Sequence, residues 1–295
     1  MAYKIAIASG KGGTGKTTVA VSLYKMLCRE LEGQIRLVDC DVEEPNDSIF
    51  FPEAKKVSEE EVRQRIPKIN VADCTFCRQC ADYCEFNAIV VLPSAGFAEV
   101  NSSLCHSCGA CLEACNYGAI TEYDQVIGKV SCYQTSVGEG LMEGRLKIGS
   151  AMQTLLIKEL KKKVPLNVEM ILYDAPPGTS CSVVETTNDS DYVLLVTEPT
   201  PFGLHDLKLT VDLMKELGKD FGVIINKAGM GNDDVYRFVE ENAIDLVGEI
   251  PFVSAFASCY AQGNLVEDMP MEITDAFNAI VEKLRHRLLV DKVSL

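Results

Sequence analysis

The sequence predicts an α/β protein with a doubly wound, mostly parallel sheet, into which a small α+β domain is inserted. Short apolar runs alternate with segments of helical periodicity along most of the chain, which is typical of a parallel sheet covered on both faces. That alternation stops between Cys74 and Cys115, an interval that holds eight of the thirteen cysteines. The first observation indicates the fold class, and the second indicates where the insertion lies.

The strands of the larger part are predicted from apolar runs that are too short to be helices. After the first run, Val19, Leu23, Met26, Leu27 and Leu31 have the spacing of one helix face. In a sheet of this kind, ligands bind beyond the carboxyl ends of the strands. The predicted strands are Ile5–Ala8, Ile35–Val38, Val168–Tyr173, Tyr192–Thr197, Val223–Ile225 and Leu246–Ile250.

Composition argues against several classes of protein. The chain has 295 residues, of which 47% are hydrophobic, and this is enough for a buried core. Its formal charge of -15 argues against nucleic acid and anionic membranes as partners. No apolar run reaches the roughly 18 residues of a membrane helix, and the N-terminus lacks a signal-peptide pattern. We therefore expect a cytoplasmic protein without stable membrane insertion, whose cysteines bind metal rather than form disulfides.

The cysteine-rich interval contains a repeat with an offset of 31 residues. The sequence CTFCRQCADYCEFNAI begins at Cys74 and CHSCGACLEACNYGAI begins at Cys105, and all four cysteines match. A repeated unit this short cannot fold on apolar burial alone, so another interaction must stabilise it. We predict that residues 1–66 and 121–295 form the larger domain and that residues 67–120 form the insertion.

A glycine-rich sequence after the first predicted strand matches the phosphate-binding pattern G-x-x-x-x-G-K-[ST]. Glycines let backbone N–H groups turn toward phosphates at the positive end of a helix. Lys16 is expected to reach the β- and γ-phosphates, and the Thr17 hydroxyl to bind Mg²⁺. The alternative is a strand-to-helix turn that binds no nucleotide. The residues predicted to bind ATP and Mg²⁺ here are Gly10, Gly12, Gly13, Thr14, Gly15, Lys16, Thr17 and Thr18.

The clustered cysteines form two runs with the spacing C-x2-C-x2-C-x3-C. This is the spacing of bacterial ferredoxins, in which the fourth cysteine of each run ligates the other cluster. Zinc is the alternative metal, although zinc sites usually use four ligands in two pairs. His106 is not expected to be a ligand, because no coordination position is left for it. The runs predict two [4Fe-4S] clusters, one bound by Cys74, Cys77, Cys80 and Cys115 and the other by Cys84, Cys105, Cys108 and Cys111.

The loop sequence KGGTGKT resembles the deviant Walker A loop of the MinD, ParA, Mrp and nitrogenase iron protein class. This resemblance implies a homodimer in which Lys11 crosses the interface to the phosphates of the other subunit, as an arginine finger does. The alternative for Lys11 is a solvent-exposed lysine. Asp39-Cys40-Asp41 resembles switch I of the class, which implies that Asp41 orients the attacking water.

Two later segments extend the resemblance. The sequence Asp174–Gly178 follows an apolar strand and resembles Walker B with switch II, which implies that Asp174 supports Mg²⁺. Asn226 and Pro251 match positions near the adenine in relatives. The alternative for Asn226 is ordinary turn chemistry after a strand.

Nearly the whole chain therefore resembles a MinD-superfamily ATPase with an inserted 2[4Fe-4S] ferredoxin domain. The resemblance implies a slow, partner-stimulated ATPase and a small metal-cluster-binding or redox partner. Three functions compete: assembly or delivery of iron–sulfur or mixed-metal clusters, ATP-gated electron transfer resembling that of the nitrogenase iron protein, and positioning of the MinD or ParA type. Positioning ranks last, because it needs no clusters.

Two further expectations concern single segments. Cys181 follows Asp174 by seven residues, where the nitrogenase iron protein has a cluster ligand, and the alternative is a small buried apolar residue. The insertion lies between the two switch segments, which are expected to respond to nucleotide. The charged segments Arg63–Lys68 and Thr121–Val126 are therefore predicted to be loops that act as hinges.

Overall fold

A computed structural model describes residues 2–136, 138–263, 265 and 269–293, which form eleven strands and nine helices. The strands are β1 (Tyr3–Ala8), β2 (Ile35–Asp39), β3 (Lys55–Ile69), β4 (Ile89–Leu92), β5 (Phe97–Val100), β6 (Ile120–Thr135), β7 (Gly138–Leu146), β8 (Met170–Asp174), β9 (Tyr192–Thr197), β10 (Phe221–Ala228) and β11 (Asp245–Pro251). The helices are α1 (Lys16–Glu30), α2 (Gln79–Asp82), α3 (Ala110–Glu113), α4 (Gln153–Lys163), α5 (Cys181–Thr187), α6 (Pro201–Glu216), α7 (Asp234–Glu241), α8 (Ser254–Ala261) and α9 (Met271–Val293). None of the helices in these described ranges has the length and apolar content that crossing a membrane requires.

Nine strands form one sheet in the order β11-β10-β9-β1-β8-β2-β7-β6-β3, and neighbouring strands from β11 to β7 run parallel. The prediction of a mostly parallel α/β sheet is confirmed, and all six predicted strands are present. Strands β3, β6 and β7 were not predicted. The first half of β3, KKVSEEE, is exposed and carries no apolar run, so its sequence lacks the usual strand signal. Charged side chains are common on such an edge strand because they discourage pairing with other chains.

The core packs the central strands against the first and last helices. Ile5, Leu37 and Leu172 from β1, β2 and β8 share one apolar cluster with Leu23 of α1 and Phe277 of α9, and all five are fully buried. Each such side chain contributes about 1.5–3 kcal/mol relative to its exposed state. This packing fixes the start of α1 at the carboxyl end of β1, where the glycine-rich loop lies.

The chain divides into two compact units. One comprises Met1–Glu59, Val130–Arg145 and Ile157–Leu295, and the other comprises Glu60–Lys129 and Leu146–Leu156. The second unit contains both cysteine runs, together with the two-stranded sheet of β4 and β5.

The prediction of hinge loops is wrong. Arg63–Lys68 lies within β3 and Thr121–Val126 lies within β6, and these strands are neighbours in the sheet. Charged residues in β3 alternate with the buried Val62 and Ile66, as expected of a strand with one covered face. Because most residues of this segment are charged or polar, the alternation of buried and exposed positions is not visible as an apolar pattern in the sequence.

The backbone of the cysteine-rich unit preserves the sequence repeat. The N–H of Asn70 donates to the carbonyl of Ala119, and the N–H of Asn101 donates to the carbonyl of Ala88, both at 2.7 Å. Asn70 and Asn101 are equivalent in the repeat, and so are Ala88 and Ala119. Each repeat therefore donates the same hydrogen bond to the other repeat. This reciprocity is that of an approximate two-fold axis between the repeats.

Candidate nucleotide and metal sites

The glycine-rich loop connects β1 to α1 and has the backbone that phosphate binding requires. Gly13 and Gly15 have φ angles of 81° and 88°, in the left-handed region that favours glycine. A Cβ at Gly15 would also lie 2.2 Å from Nδ2 of Asn226, so a larger residue cannot fit. The first N–H groups of α1 lack partners four residues earlier, and they are oriented toward the loop. This arrangement fits a bound phosphate chain.

Lys16 and Thr17 are both held by Asp174. Nζ of Lys16 lies 2.7 Å from Oδ1 of Asp174, and the Thr17 hydroxyl donates to Oδ2 at 2.7 Å. The pKa of Lys16 is raised: burial lowers it, but attraction to Asp174 and the hydrogen bond outweigh that effect. Asp174 therefore positions both side chains that the sequence assigns to phosphate and Mg²⁺.

A group of buried carboxylates surrounds this pair. Asp39, Asp47 and Asp174 are each at most 1% exposed. Asp39 accepts hydrogen bonds from the backbone N–H groups of Asp41, Asn46 and Asp47, at 2.8–3.0 Å. Among the described residues, neither carboxyl oxygen of Asp47 has a hydrogen-bond donor. Because these carboxyl groups lie close together and are shielded from water, their charged forms are unfavourable.

Burial raises the pKa of three aspartates near the loop, Asp39, Asp41 and Asp47. Burial raises the pKa of Asp39 to about 8, and the charge of Asp174 adds to the effect. Burial also raises the pKa of Asp41 to about 6, although attraction to Lys16 opposes this. For Asp47, burial and the charges of Asp39 and Asp174 raise the pKa well above its usual range. The sequence analysis placed Asp39 in the switch I segment but assigned no role to it, and it did not single out Asp47, which lies in no motif.

The loop opens into a cavity of about 510 Å³. Two predicted residues do not line it: Gly10 packs against α6, where a Cβ would lie 2.5 Å from the carbonyl oxygen of Asp206, and Asp174 is buried behind Lys16. The predicted residues that line it are Lys11, Gly12, Gly13, Thr14, Gly15, Lys16, Thr17, Thr18, Asp41, Asn226 and Pro251.

One wall of this cavity is aromatic. Phe252, Phe256 and Tyr260 follow β11 and line the space next to Pro251. Aromatic side chains in a cavity wall fit a nucleotide base, which can stack on them. This wall is not predictable from the sequence, because these three residues form no motif and meet the loop only after the chain folds.

Asn226 contacts the loop directly. Its Nδ2 donates to the carbonyl of Thr14 at 2.7 Å, and its Oδ1 accepts from the N–H of Lys227 at 2.9 Å. Lys227 has a positive φ of 55° and forms an ion pair with Glu198. Asn226 therefore braces the loop from the end of β10 as well as facing the cavity, and its contact with adenine stays a prediction.

Lys11 also lines the cavity. Its Nζ lies 5.8 Å from the centre of the Phe202 ring in the same chain, within the range of a cation–π contact. Phe202 is 76% exposed, so this contact leaves the lysine at the surface. This position fits both predictions for Lys11: a solvent-exposed lysine, and a lysine that reaches the phosphates of a second subunit.

The structure gathers the eight clustered cysteines around two cavities. Each cavity takes three cysteines from one run and the last cysteine from the other run, which are the two ligand sets that the spacing predicts. Binding of iron by these thiols stays a prediction. One cavity is lined by Cys84, Cys105, Cys108 and Cys111, and the other by Cys74, Cys77, Cys80 and Cys115.

Backbone N–H groups point at the sulfur atoms of several of these residues. Phe76 donates to Sγ of Cys74 and Ser107 donates to Sγ of Cys105, both at 3.4 Å and at equivalent positions of the repeat. Burial raises the pKa of Cys111 to about 11, and the neighbouring Cys105 adds to the effect. Gathering four thiolates therefore requires a compensating positive charge, while the N–H groups are placed to stabilise ligated sulfur.

No three His, Cys, Asp or Glu side chains of the described ranges lie close enough together to hold a single metal ion. A [4Fe-4S] cluster binds each of its four thiolates through a different iron. Its ligands consequently surround a volume instead of meeting at a point.

Cys181 is the first residue of α5 and is exposed. The alternative prediction of a small buried residue is therefore wrong. Its side chain is accessible, and a role as a ligand stays a prediction.

Protein free of nucleotide and Mg²⁺ should lose stability as the pH rises. The folded state holds Asp39 and Asp41 at pKa values of about 8 and about 6, whereas an unfolded aspartate has a pKa of about 3.9. The folded state thus binds more protons between about pH 4 and pH 8, and its free energy of unfolding falls as pH rises through that window. Urea unfolding across this range measures the slope.

Two variants test the assignment of this pH dependence. Asp39→Asn should flatten the slope up to about pH 8, whereas Asp41→Asn should flatten it only below about pH 6. An identical slope in wild type and both variants would show that other groups cause the dependence.

Comparison with known proteins agrees with this nucleotide site. The family model described as CbiA, the CobQ/CobB/MinD/ParA nucleotide binding domain, matches residues 5–266. The chain is 32% identical over 283 residues to the uncharacterized protein MJ0578 of Methanocaldococcus jannaschii, covering 96% of each chain. It is 23% identical over 305 residues to the iron-sulfur cluster carrier protein of Pyrococcus abyssi, covering 97% of this chain and 86% of the carrier.

A solved structure shares the fold. The septum site-determining protein MinD of Pyrococcus horikoshii, complexed with Mg-ADP, superimposes with a TM-score of 0.59 at 20% identity, covering 96% of each chain. At this identity the likeness concerns the fold alone. Because the family model spans residues 5–266, the chain belongs to the CobQ/CobB/MinD/ParA family of nucleotide-binding proteins.

Proposed function

We propose that this protein is an ATPase that assembles or delivers iron–sulfur or mixed-metal clusters and that carries two [4Fe-4S] clusters in its cysteine-rich unit. One observation carries the proposal: eight cysteines surround two cavities in a chain that also has a complete phosphate-binding loop. The similarity to an iron-sulfur cluster carrier protein supports the same function. In this proposal the insertion is a ferredoxin-like domain, and the protein acts in the cytoplasm.

The donor set of the cysteine cavities fits iron–sulfur clusters. Four thiols around each cavity match the four cysteines that a [4Fe-4S] cluster needs, and N–H groups directed at sulfur are typical of such sites. When bound, the clusters would supply one-electron chemistry or would themselves be the cargo. The chain's contribution is to fix the thiols and to shield the space between them.

The second candidate is an electron-transfer protein gated by ATP. It uses the same residues, and it differs only in whether iron leaves the protein during a cycle. Positioning of the MinD type is weaker, because the solved MinD structure is 20% identical and shares the fold alone. Positioning also leaves the eight clustered cysteines without a role.

Anaerobic purification tests the metal assignment. We expect about eight iron and eight sulfide per chain, with [4Fe-4S] signals in the reduced protein. Colourless protein that holds zinc and no sulfide would refute the cluster assignment. To separate delivery from electron transfer, protein reconstituted with ⁵⁷Fe is mixed with ATP and the apo form of a [4Fe-4S] protein. Isotope in the acceptor indicates delivery, whereas a change of redox state alone indicates electron transfer.

Asp41→Ala should produce protein that binds ATP but hydrolyses it very slowly. Asp41 lines the nucleotide cavity, whereas the ion pair that would hold phosphate and Mg²⁺ is formed by Lys16 and Asp174. We propose that its carboxylate orients the attacking water and that two chains form a homodimer around ATP. Filter binding and phosphate release measure the two properties. Hydrolysis at the wild-type rate would rule out this role for Asp41.

A further inference from the structure

The two cysteine cavities are formed by equivalent residues of the repeat, but the side chains around their cysteines differ. Residues 31 apart occupy matching places, as the reciprocal hydrogen bonds of Asn70 and Asn101 demonstrate. Each difference between matching residues is therefore a difference between two sites of the same design. We refer to the cavity lined by Cys74, Cys77, Cys80 and Cys115 as cavity one and to the cavity lined by Cys84, Cys105, Cys108 and Cys111 as cavity two.

An aromatic pair covers cavity two. The rings of Phe86 and His106 stack with centroids 3.9 Å apart and an angle of 15°, and both residues line the cavity. Two stacked rings restrict each other's rotation, since a rotamer change of either one loses the contact. The pair therefore forms a fixed part of the wall of cavity two, in which Cys105 and Cys111 are buried and Cys108 is exposed.

Cavity one lacks this pair. The residue equivalent to Phe86 is Tyr117, and the residue equivalent to His106 is Thr75. Thr75 and Tyr117 line cavity one, but a threonine offers no ring for stacking. Tyr117 is 54% exposed, against 38% for Phe86.

The first cysteine of each run follows the same trend. Cys105 in cavity two is buried, whereas Cys74 in cavity one is half-buried. Arg78 also lines cavity one, but its guanidinium lies 3.8 Å from the carboxylate of Asp82 and its side chain is 54% exposed. It is thus drawn toward Asp82 and does not replace the missing ring.

We propose that cavity one is the port through which the bound metal exchanges with molecules outside the protein and that the Phe86–His106 pair closes cavity two. This inference rests on the proposed function, because it requires a cluster in each cavity. It assigns His106 a positioning role: the residue binds no metal and holds Phe86 in place. The cluster in cavity one is then the one that reacts first with any external acceptor or chelator.

The test measures removal of iron from anaerobic holoprotein by bathophenanthroline disulfonate. We expect two phases, each releasing about four irons, since each [4Fe-4S] cluster is lost as a unit. Samples taken after the first phase are treated with iodoacetamide, and peptide mass spectrometry identifies the newly free thiols. The expected set is Cys74, Cys77, Cys80 and Cys115.

Variants in which a residue of one repeat is replaced by the equivalent residue of the other repeat provide a matched pair. His106→Thr gives cavity two the residue of cavity one, and it should accelerate the slow phase about two- to tenfold, the factor that corresponds to one aromatic pair. Thr75→His gives cavity one the histidine, and it should slow the fast phase. A slower phase cannot result from unfolding, so this second variant separates covering from general destabilisation.

The outcomes distinguish this inference from the proposed function. Absence of iron and sulfide in the purified protein refutes the proposed function. If both clusters are present but are lost in a single phase, or if Cys84, Cys105, Cys108 and Cys111 become free first, the inference is wrong and the function stands. Unchanged phases in both variants would also overturn it.

Discussion

Lys16→Ala is expected to abolish binding of Mg·ATP. Nζ of Lys16 is buried at the phosphate-binding loop, beside Asp174, which accepts hydrogen bonds from both Lys16 and Thr17. Loss of two hydrogen bonds to charged phosphate oxygens, at about 1.5 kcal/mol each, lowers affinity by a factor of at least about 100. Isothermal titration with ATP and Mg²⁺ measures the loss.

Two controls accompany this variant. Lys16→Ala leaves the buried carboxylate of Asp174 without its cation, which costs about 3–5 kcal/mol of stability. The double variant with Asp174→Asn removes that charge, so a folded double variant that fails to bind ATP excludes unfolding as the cause. Lys11→Ala should retain most of the affinity and lose hydrolysis, because Lys11 is proposed to act on the other subunit's phosphates. Equal loss of affinity in Lys11→Ala and Lys16→Ala would contradict a role of Lys11 across a dimer.

Cys84→Ala is expected to remove one cluster and leave the other. Cys84 belongs to the first run in the sequence, but it lines the cavity with Cys105, Cys108 and Cys111. The variant should hold about four irons, and the alkylated thiols should be the three of the second run. Cys115→Ala is the matched variant, and it should free Cys74, Cys77 and Cys80 instead.

A cysteine outside the runs provides the control for cluster content. Cys132 is half-buried in β6 and lies outside both cavities, so Cys132→Ala should retain all eight irons, about the content of two [4Fe-4S] clusters. If Cys84→Ala instead freed the thiols of its own run, each run would bind its own cluster, and the crossed assignment would fail.

The sequence alone determined the positions of the main motifs of this protein. The loop Gly10–Thr17, the strand ends at Asp39 and Asp174, and the crossed sets of cysteines all follow from patterns within short segments. Such patterns are readable because they reflect local requirements: φ angles that favour glycine, a period of 3.6 or 2, and the reach of a thiol to a cluster. The 31-residue repeat is also visible in the sequence, and the structure preserves it in the reciprocal hydrogen bonds of Asn70 and Asn101.

The tertiary structure decided what depends on contacts between distant segments. Asn226 braces the loop through Thr14, a residue 212 positions earlier, and the aromatic wall of Phe252, Phe256 and Tyr260 meets that loop only after β11 joins the sheet. No local pattern records such meetings, because the same residues would have the same propensities in any fold.

The same reason applies to the acidic group and to the cover of cavity two. Asp39 and Asp47 have raised pKa values only because folding excludes water from both and brings them to Asp174. His106 becomes a cover only because the fold stacks it on Phe86, twenty residues earlier in the sequence. The sequence determined which chemical groups this protein has and where its motifs lie. Burial, which depends on the whole chain, decided the pKa shifts of the buried aspartates and the access of side chains to solvent.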